Sequence, residues 1–291
     1  MERSVGDSRA PLVSAAWLSA HIDEPGLVVL DCSWYLPHMG RDPDAEYLSA
    51  HIPGALRFNL DEVSDSSSDL PHMLPATEVF AQVAERLGIH ADDFVVCYDG
   101  SGVNLSAARA WWMFRVFGHR NVAVLNGGFS AWARETRPVQ RGAGRPLPTG
   151  YRSGEVDHTL IRDRAAIERI VAGDSDAQIV DCRPAVRFSG EQEEPRPGLR
   201  RGSIPGSRNL PFGEFTDPST RLSLTPSQLR ALLAERGLDL ARPIVASCGS
   251  GVSACTLALA VEVIRAADPG GVGPAVAIYD GSWAEWGRES R

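Results

Sequence analysis

The 291-residue sequence predicts an α/β protein of two tandem domains, each a parallel sheet flanked by helices. Two observations carry this. The chain repeats itself once, and within each half short β-branched runs alternate with helical stretches. The first half reads VVLDCSWY, AHIPGALRFNL, FVVCYDGSGV and LNGGFSAW; the second reads QIVDCRPAV, GSIPGSRNLPF, IVASCGSGV and YDGSWAEW. Asp31 and Asp181 are 150 positions apart, Pro53 and Pro205 are 152, Asp99 and Cys248 are 149, and Trp132 and Trp286 are 154. Four blocks in one order at a nearly constant offset describe a duplicated domain, not a solenoid of short repeats.

In chain order, Val28–Leu30, Phe94–Tyr98 and Val122–Leu125 read as buried strands of the first half. Ile179–Val180, Ile244–Ser247 and Val276–Tyr279 take those places in the second. Helical patterns fall between them at Thr77–Leu87, Ser106–Val116, Pro226–Glu235 and Val252–Ala266. The cluster Trp111, Trp112 and Phe114 reads as helix core, not as a platform for stacking bases. Strands alternating with helices imply a parallel sheet covered on both faces, with ligands bound beyond the carboxyl ends of the strands. Asp99 and Cys248 fall at such ends, where a strand gives way to a helix. The first domain is expected over residues 1–140 and the second over 151–291. Between them RPVQRGAGRPLPTG, residues 137–150, is rich in Pro, Gly and Arg and reads as a semi-rigid strap.

A net charge of −8 argues against a general nucleic-acid binder, which carries a basic face. No apolar run reaches the roughly 18 residues of a membrane span, and Met1–Ala10 lacks the basic and apolar regions of a secretory leader. Five cysteines, Cys32, Cys97, Cys182, Cys248 and Cys255, form no C-x-x-C pair, which suits a reduced cytoplasmic setting and no zinc site. Apart from Cys248 they read as small buried apolar residues, Cys255 included. Neither DGSGV nor CGSGV has the Lys of a phosphate loop, and no metal or organic cofactor is implied.

The stretch IVAS-CGSGVS-ACTLALAVEVI is a strand, a six-residue loop and a helix. Gly249 and Gly251 let the loop curl, so that several N–H groups converge ahead of a helix N-terminus. Such a nest stabilises a thiolate or a persulfide anion on Cys248, and Ser250 and Ser253 add hydroxyl donors. The first half has DGSGV in the same place, and Asp99 cannot accept a sulfur atom, so the first domain is expected to be non-catalytic. A cysteine phosphatase needs an Arg six residues after its nucleophile; position 254 is Ala254.

With the loop CGSGV stand HMLP (72–75), WWMFRVFGH (111–119), IPGSRNLPF (204–212) and YDGSW (279–283). From about Pro11 to Arg288 the chain resembles tandem rhodanese-family proteins, and is most similar to the branch of 3-mercaptopyruvate sulfurtransferases. The resemblance implies Cys248 as the sulfur carrier, with Gly249, Gly251, Val252 and Ser253 forming the substrate side of its loop. It implies Arg187 and Arg196 as the residues that hold a donor's carboxylate and keto group, for which planar guanidinium forks are suited. It further implies a relay of Ser250, His72 and Asp61 that handles the proton of the pyruvate enolate, in an active site shared by the two halves. Asp181 and Arg183 are expected to pin a loop through an ion pair, and Arg200 and Arg201 to lie at the surface.

Two residues depart from the family pattern: Ser203 stands where the second domain usually has His, at the expected loss of a structural hydrogen bond, and Ser253 where Thr is usual. The neutral Gly249 and Ser250 replace the basic loop of thiosulfate-preferring relatives, which points to 3-mercaptopyruvate as donor. The acceptor is expected to be cyanide, a small thiol or a reduced thioredoxin. The alternatives are a thiosulfate:cyanide sulfurtransferase and a non-catalytic persulfide carrier that docks a partner.

Overall fold

The structure, a computed structural model, describes residues 10–36, 39–268, 270 and 272–288. Met1–Arg9, most of the stretch read for a leader, lie outside the described residues. The chain divides into two compact units. The first takes residues up to Val63, Pro75–Val156 and Asp217–Ser223; the second takes Ser64–Leu74, Asp157–Thr216 and Leu224 onward.

The first unit runs β1 (Leu12–Val13), α1 (Ala15–His21), β2 (Leu27–Asp31), α2 (Pro43–Ser49), β3 (Leu56–Arg57), α3 (Thr77–Arg86), β4 (Phe94–Tyr98), α4 (Leu105–Val116), β5 (Val122–Leu125) and α5 (Gly128–Arg134). Its five strands pair in the order β1-β5-β4-β2-β3, all parallel. One core forms around Leu18, Val29, Ile52, Val96, Tyr98, Leu125 and Trp132. Helix α4 is buried nearly all round, which its run of Ala, Trp, Met and Phe permits. The expected strap lies along this unit: Gln140 bridges His51, the Gly144 N–H donates to the Tyr47 hydroxyl at 3.1 Å, and Thr149 Oγ1 donates to the Ile89 carbonyl at 2.5 Å.

The second unit runs β6 (Ile161–Arg162), α6 (Arg164–Ala172), β7 (Gln178–Asp181), α7 (Ala185–Phe188), β8 (Arg208–Asn209), α8 (Pro226–Glu235), β9 (Ile244–Ser247), α9 (Cys255–Ala267), β10 (Ala277–Tyr279) and α10 (Ser282–Trp286). Its strands pair β6-β10-β9-β7-β8, again all parallel and in the equivalent order. Ile167, Ile179, Ile204, Val245, Tyr279 and Trp283 form its core. Asp163 caps α6 by accepting from the Ala166 N–H at 2.8 Å, and Gly173 closes the helix in the left-handed region. Thr225 and Gln228 make a reciprocal capping box at α8, with Pro226 at its first turn.

The helix expected from Val252 begins three residues later, at Cys255. Cys255, Thr256 and Leu257 donate to the carbonyls of Val252, Ser253 and Ala254, so a tight i→i+3 turn precedes the first regular turn. Val252 and Ser253 therefore stay in the loop. Among the described residues no helix is long and apolar enough to cross a membrane.

Candidate active site

Cys248 leaves the carboxyl end of β9, the third strand of its sheet order, and is 1 % exposed. The loop it opens is held from below by α10. The N–H groups of Trp283 and Ala284 donate to the carbonyls of Cys248 and Gly249, both at 2.9 Å. Ser282, fully buried, binds three backbone groups through one hydroxyl. Its Oγ donates to the Tyr279 carbonyl at 2.7 Å and accepts from the N–H groups of Cys248 and Gly251, both at 3.1 Å. Ser282 does this at φ 49°, a conformation that costs a non-glycine residue about 1–2 kcal/mol.

Two of the loop's N–H groups are thus taken by Ser282. Those of Gly249, Ser250, Val252, Ser253 and Ala254 have no protein acceptor among the described residues. Gly251 supplies a positive φ of 74° where the loop turns. The N–H groups without an acceptor come from the middle and far side of the loop.

The same loop in the first unit reveals what it is built to hold. Asp99 leaves β4 and its carboxylate is cradled. One oxygen accepts from the Ser101 N–H at 2.9 Å and the Ser101 hydroxyl at 2.6 Å; the other accepts from the N–H groups of Ser106 and Ala107, both at 2.9 Å. The Asp99 side chain fills this loop and caps α4.

Arg187, in α7, and Arg196, in the turn after it, converge on the loop. The space a Cβ on Gly249 would take lies 3.2 Å from Nη2 of Arg187 and 3.7 Å from Nη1 of Arg196. Arg196 Nη2 also donates to Ser250 Oγ at 3.4 Å. Glu194 organises the group: Arg183 donates to it at 2.7 Å, and Arg187 makes two bonds to it, one from Nε at 3.1 Å. The Glu194 side chain is only 2 % exposed. Arg183 meets Asp181 with Nη2 at 2.6 Å, donates to the Gly202 carbonyl at 2.7 Å and stacks on Trp283 at 4.3 Å. The expected Asp181–Arg183 pair thus exists, and Glu194 extends it to Arg187. Arg200 and Arg201 are exposed.

His72 stands in this unit although it comes from the first half of the sequence. Three anchors tie its segment there. The Leu74 N–H donates to Asp280 Oδ2 at 2.8 Å, Arg288 pairs with Asp69 at 2.6 Å, and Arg288 also donates to the Asp69 carbonyl at 2.9 Å. His72, at φ 59° and 8 % exposed, has Nδ1 2.9 Å from Ser250 Oγ. Asp61 belongs to the first unit, is exposed, and accepts from Trp34 Nε1 at 3.2 Å and 3.3 Å. Of the expected site residues, Cys248, Gly249, Ser250, Gly251, Arg187, Arg196 and His72 come together; Val252 is buried in the loop, and Ser253 uses its carbonyl to accept from Thr256. Cys255 is buried as expected, its thiol donating to the Gly251 carbonyl at 3.2 Å.

Sequence reasoning missed Ser282 and Glu194. A Ser where the first half has Gly128, and an acid between Arg187 and Arg196, were the available signs.

A parallel sheet with a cysteine loop at its carboxyl edge, pinned by a buried serine and flanked by two guanidinium groups, is the architecture of a cysteine-dependent group-transfer enzyme. The model of the rhodanese-like domain matches twice, over residues 14–135 and 165–289. The chain belongs to the rhodanese family, as a tandem-domain sulfurtransferase. It is 42 % identical to human 3-mercaptopyruvate sulfurtransferase over 96 % of this chain and 93 % of that one. It is also 42 % identical to chicken thiosulfate sulfurtransferase, over 94 % and 92 %. The crystal structure of SseA from Escherichia coli, a 3-mercaptopyruvate sulfotransferase by its description, superposes with a TM-score of 0.83 at 36 % identity, over 95 % of this chain and all of that one.

Proposed function

We propose that this sulfurtransferase takes sulfur from 3-mercaptopyruvate and passes it to a thiophilic acceptor through a persulfide on Cys248. The observation that carries the reading is the convergence of Arg187 and Arg196 on Gly249, beside a loop that has no basic residue of its own. A donor with a carboxylate and a ketone at one end and a thiol at the other fits that layout. The guanidinium forks take the oxygen-bearing end and leave the sulfur at Cys248. Glu194 already engages Arg187, which suits a single carboxylate better than a compact dianion.

In the first half-reaction the Cys248 thiolate attacks the donor sulfur, and the C–S bond breaks to leave the persulfide and pyruvate enolate. Loop N–H donors stabilise the persulfide anion. Ser250, bonded to His72, delivers a proton to the enolate. In the second half-reaction an acceptor such as cyanide, a small thiol or reduced thioredoxin removes the outer sulfur. The catalytic domain is residues 151–291 with His72 added; the domain of residues 1–140, with Asp99 in its loop, does not react. The setting is cytoplasmic, in keeping with five cysteines that form no disulfide among the described residues.

A thiosulfate donor is the second reading, favoured by the equal identity to the chicken thiosulfate enzyme. The test is rapid mixing with 3-mercaptopyruvate and no acceptor, a quench within a second, and peptide mapping. One added sulfur on the Cys248 peptide is expected, and Arg187→Lys should weaken donor binding roughly tenfold with the same product, because a point charge replaces a planar fork. An unmodified Cys248, or sulfur on another cysteine, would contradict the reading.

A further inference from the structure

Cys182 follows β7 as Cys248 follows β9. The two strands run parallel with Asp181 beside Ser247, and the Cys182 N–H donates to the Ser247 carbonyl at 2.8 Å. That bond closes the last pair of the ladder, so Cys182 and Cys248 are the next residues out of two adjacent parallel strands. Laterally paired residues of neighbouring strands share a face with Cβ atoms about 5 Å apart. Neighbouring strands lie about 4.8 Å apart, within the roughly 4.4–6.8 Å of Cα separation that a disulfide spans. Cys182 is fully buried, and among the described residues no hydrogen bond holds its sulfur. The first unit has the same arrangement in part: the Cys32 N–H donates to the Tyr98 carbonyl at 2.8 Å, and Cys32 and Asp99 follow the last pair of their strands. Only in the second unit are both members sulfur.

Resting on the persulfide reading above, we infer that Cys182 is an internal acceptor that discharges the Cys248 persulfide as hydrogen sulfide. The Cys182 sulfur attacks the inner sulfur of Cys248. A Cys182–Cys248 bond forms, the bond to the outer sulfur breaks, and HS⁻ leaves with the electron pair while the Cys182 proton is lost. The outer, sulfane sulfur is reduced to sulfide and the two thiols are oxidised to a disulfide, so the donor supplies the oxidising equivalent. An external dithiol restores the enzyme. Burial, then the neighbouring Cys248 and Asp181, pushes the Cys182 thiol up, which keeps it neutral and slow beside an external thiolate. Discharge therefore occurs when no acceptor arrives. Buried sulfurs suffice, because both reactants belong to the protein.

The experiment loads wild type, Cys182→Ala and Cys255→Ala with 3-mercaptopyruvate, strips excess donor by rapid gel filtration and incubates without acceptor. Each should give one pyruvate per chain. Wild type and Cys255→Ala should then release sulfide approaching one per chain, with a peptide map joining Cys182 to Cys248. Cys182→Ala should keep its persulfide and release less than about a tenth of that sulfide. A wild-type persulfide as long-lived as that of Cys182→Ala overturns the inference, as does sulfur found on Cys182 or a Cys248–Cys255 link. If Cys182→Ala does not fold, the wild-type map decides alone. A parallel load with thiosulfate, counting sulfite, separates a wrong donor from a wrong acceptor: sulfite without pyruvate strikes the donor assignment only, and the fate of that persulfide still decides on Cys182.

Discussion

The loop after β4 and the loop after β9 leave equivalent strands and enter equivalent helices, yet they treat their anion differently. In the first, the Asp99 carboxylate occupies the nest and draws in the N–H groups of Ser106 and Ala107 as a cap for α4. In the second, Cys248 is too short to reach those donors, and the N–H groups of Cys255 and Thr256 turn back to the carbonyls of Val252 and Ser253. The helix no longer depends on the loop residue, so the residue is free to change its charge and its cargo. The support beneath differs too. Phe129 donates to the Asp99 carbonyl at 3.0 Å as Trp283 donates to that of Cys248, which makes Gly128 the counterpart of Ser282. Both have positive φ, 55° and 49°. A Cβ on Gly128 would lie 2.3 Å from the Asp99 carbonyl oxygen, whereas Ser282 carries a Cβ there and uses its hydroxyl to fix the loop. One loop is locked by its own side chain; the other is pinned from below, and its side chain is left for chemistry.

The largest effect should come from making the second loop like the first. Cys248→Asp should abolish turnover while the melting temperature stays within about 3 °C of wild type, a change of about 1 kcal/mol for a chain of this size. A collapse of the fold would break the comparison.

Ser282 is the next test. Ser282→Ala removes the hydroxyl that accepts from the N–H groups of Cys248 and Gly251, at a cost of about 2 kcal/mol in denaturant unfolding. The released loop should slow turnover roughly 10- to 100-fold, because small displacements of a nucleophile are costly. Ser282→Gly, which copies Gly128, should recover about 1 kcal/mol by relieving the left-handed strain without recovering turnover. Equal stability of the two variants would show that the backbone is not strained there.

The smallest effect on catalysis should come from Asp99→Asn. Half of its accepting capacity is lost, so stability should fall by about 1–2 kcal/mol with kcat unchanged. A fall in kcat would mean that the first loop does more than hold α4.

The strands that flank the loops were legible because buried parallel strands are short runs of Val, Ile and Leu; β4, β5 and β9 match the expected bounds. The edge strands β1, β3, β6 and β8 are two residues each, too short for any periodicity. The duplication picked out Cys248 by contrast with Asp99, and the resemblance picked out Arg187, Arg196 and His72. What stayed hidden were residues that act on other residues. Glu194 looks like surface charge until the chain folds it under Arg183 and Arg187. Ser282 looks like a turn residue until its hydroxyl is seen beneath the Cys248 loop. Neither has a local pattern, because Glu194 serves Arg187 seven positions away and Ser282 serves Cys248 thirty-four positions away.

The most direct test of the account compares pyruvate release from 3-mercaptopyruvate with thiocyanate formation from thiosulfate, cyanide being the common acceptor, in wild type and Cys248→Ser. The account predicts a kcat/KM for 3-mercaptopyruvate at least about tenfold above that for thiosulfate, equivalent to about 1.4 kcal/mol of transition-state discrimination, and no turnover of either donor by the variant. Equal or better use of thiosulfate would contradict the part assigned to the neutral loop and the paired arginines, and turnover by Cys248→Ser would contradict the nucleophile itself.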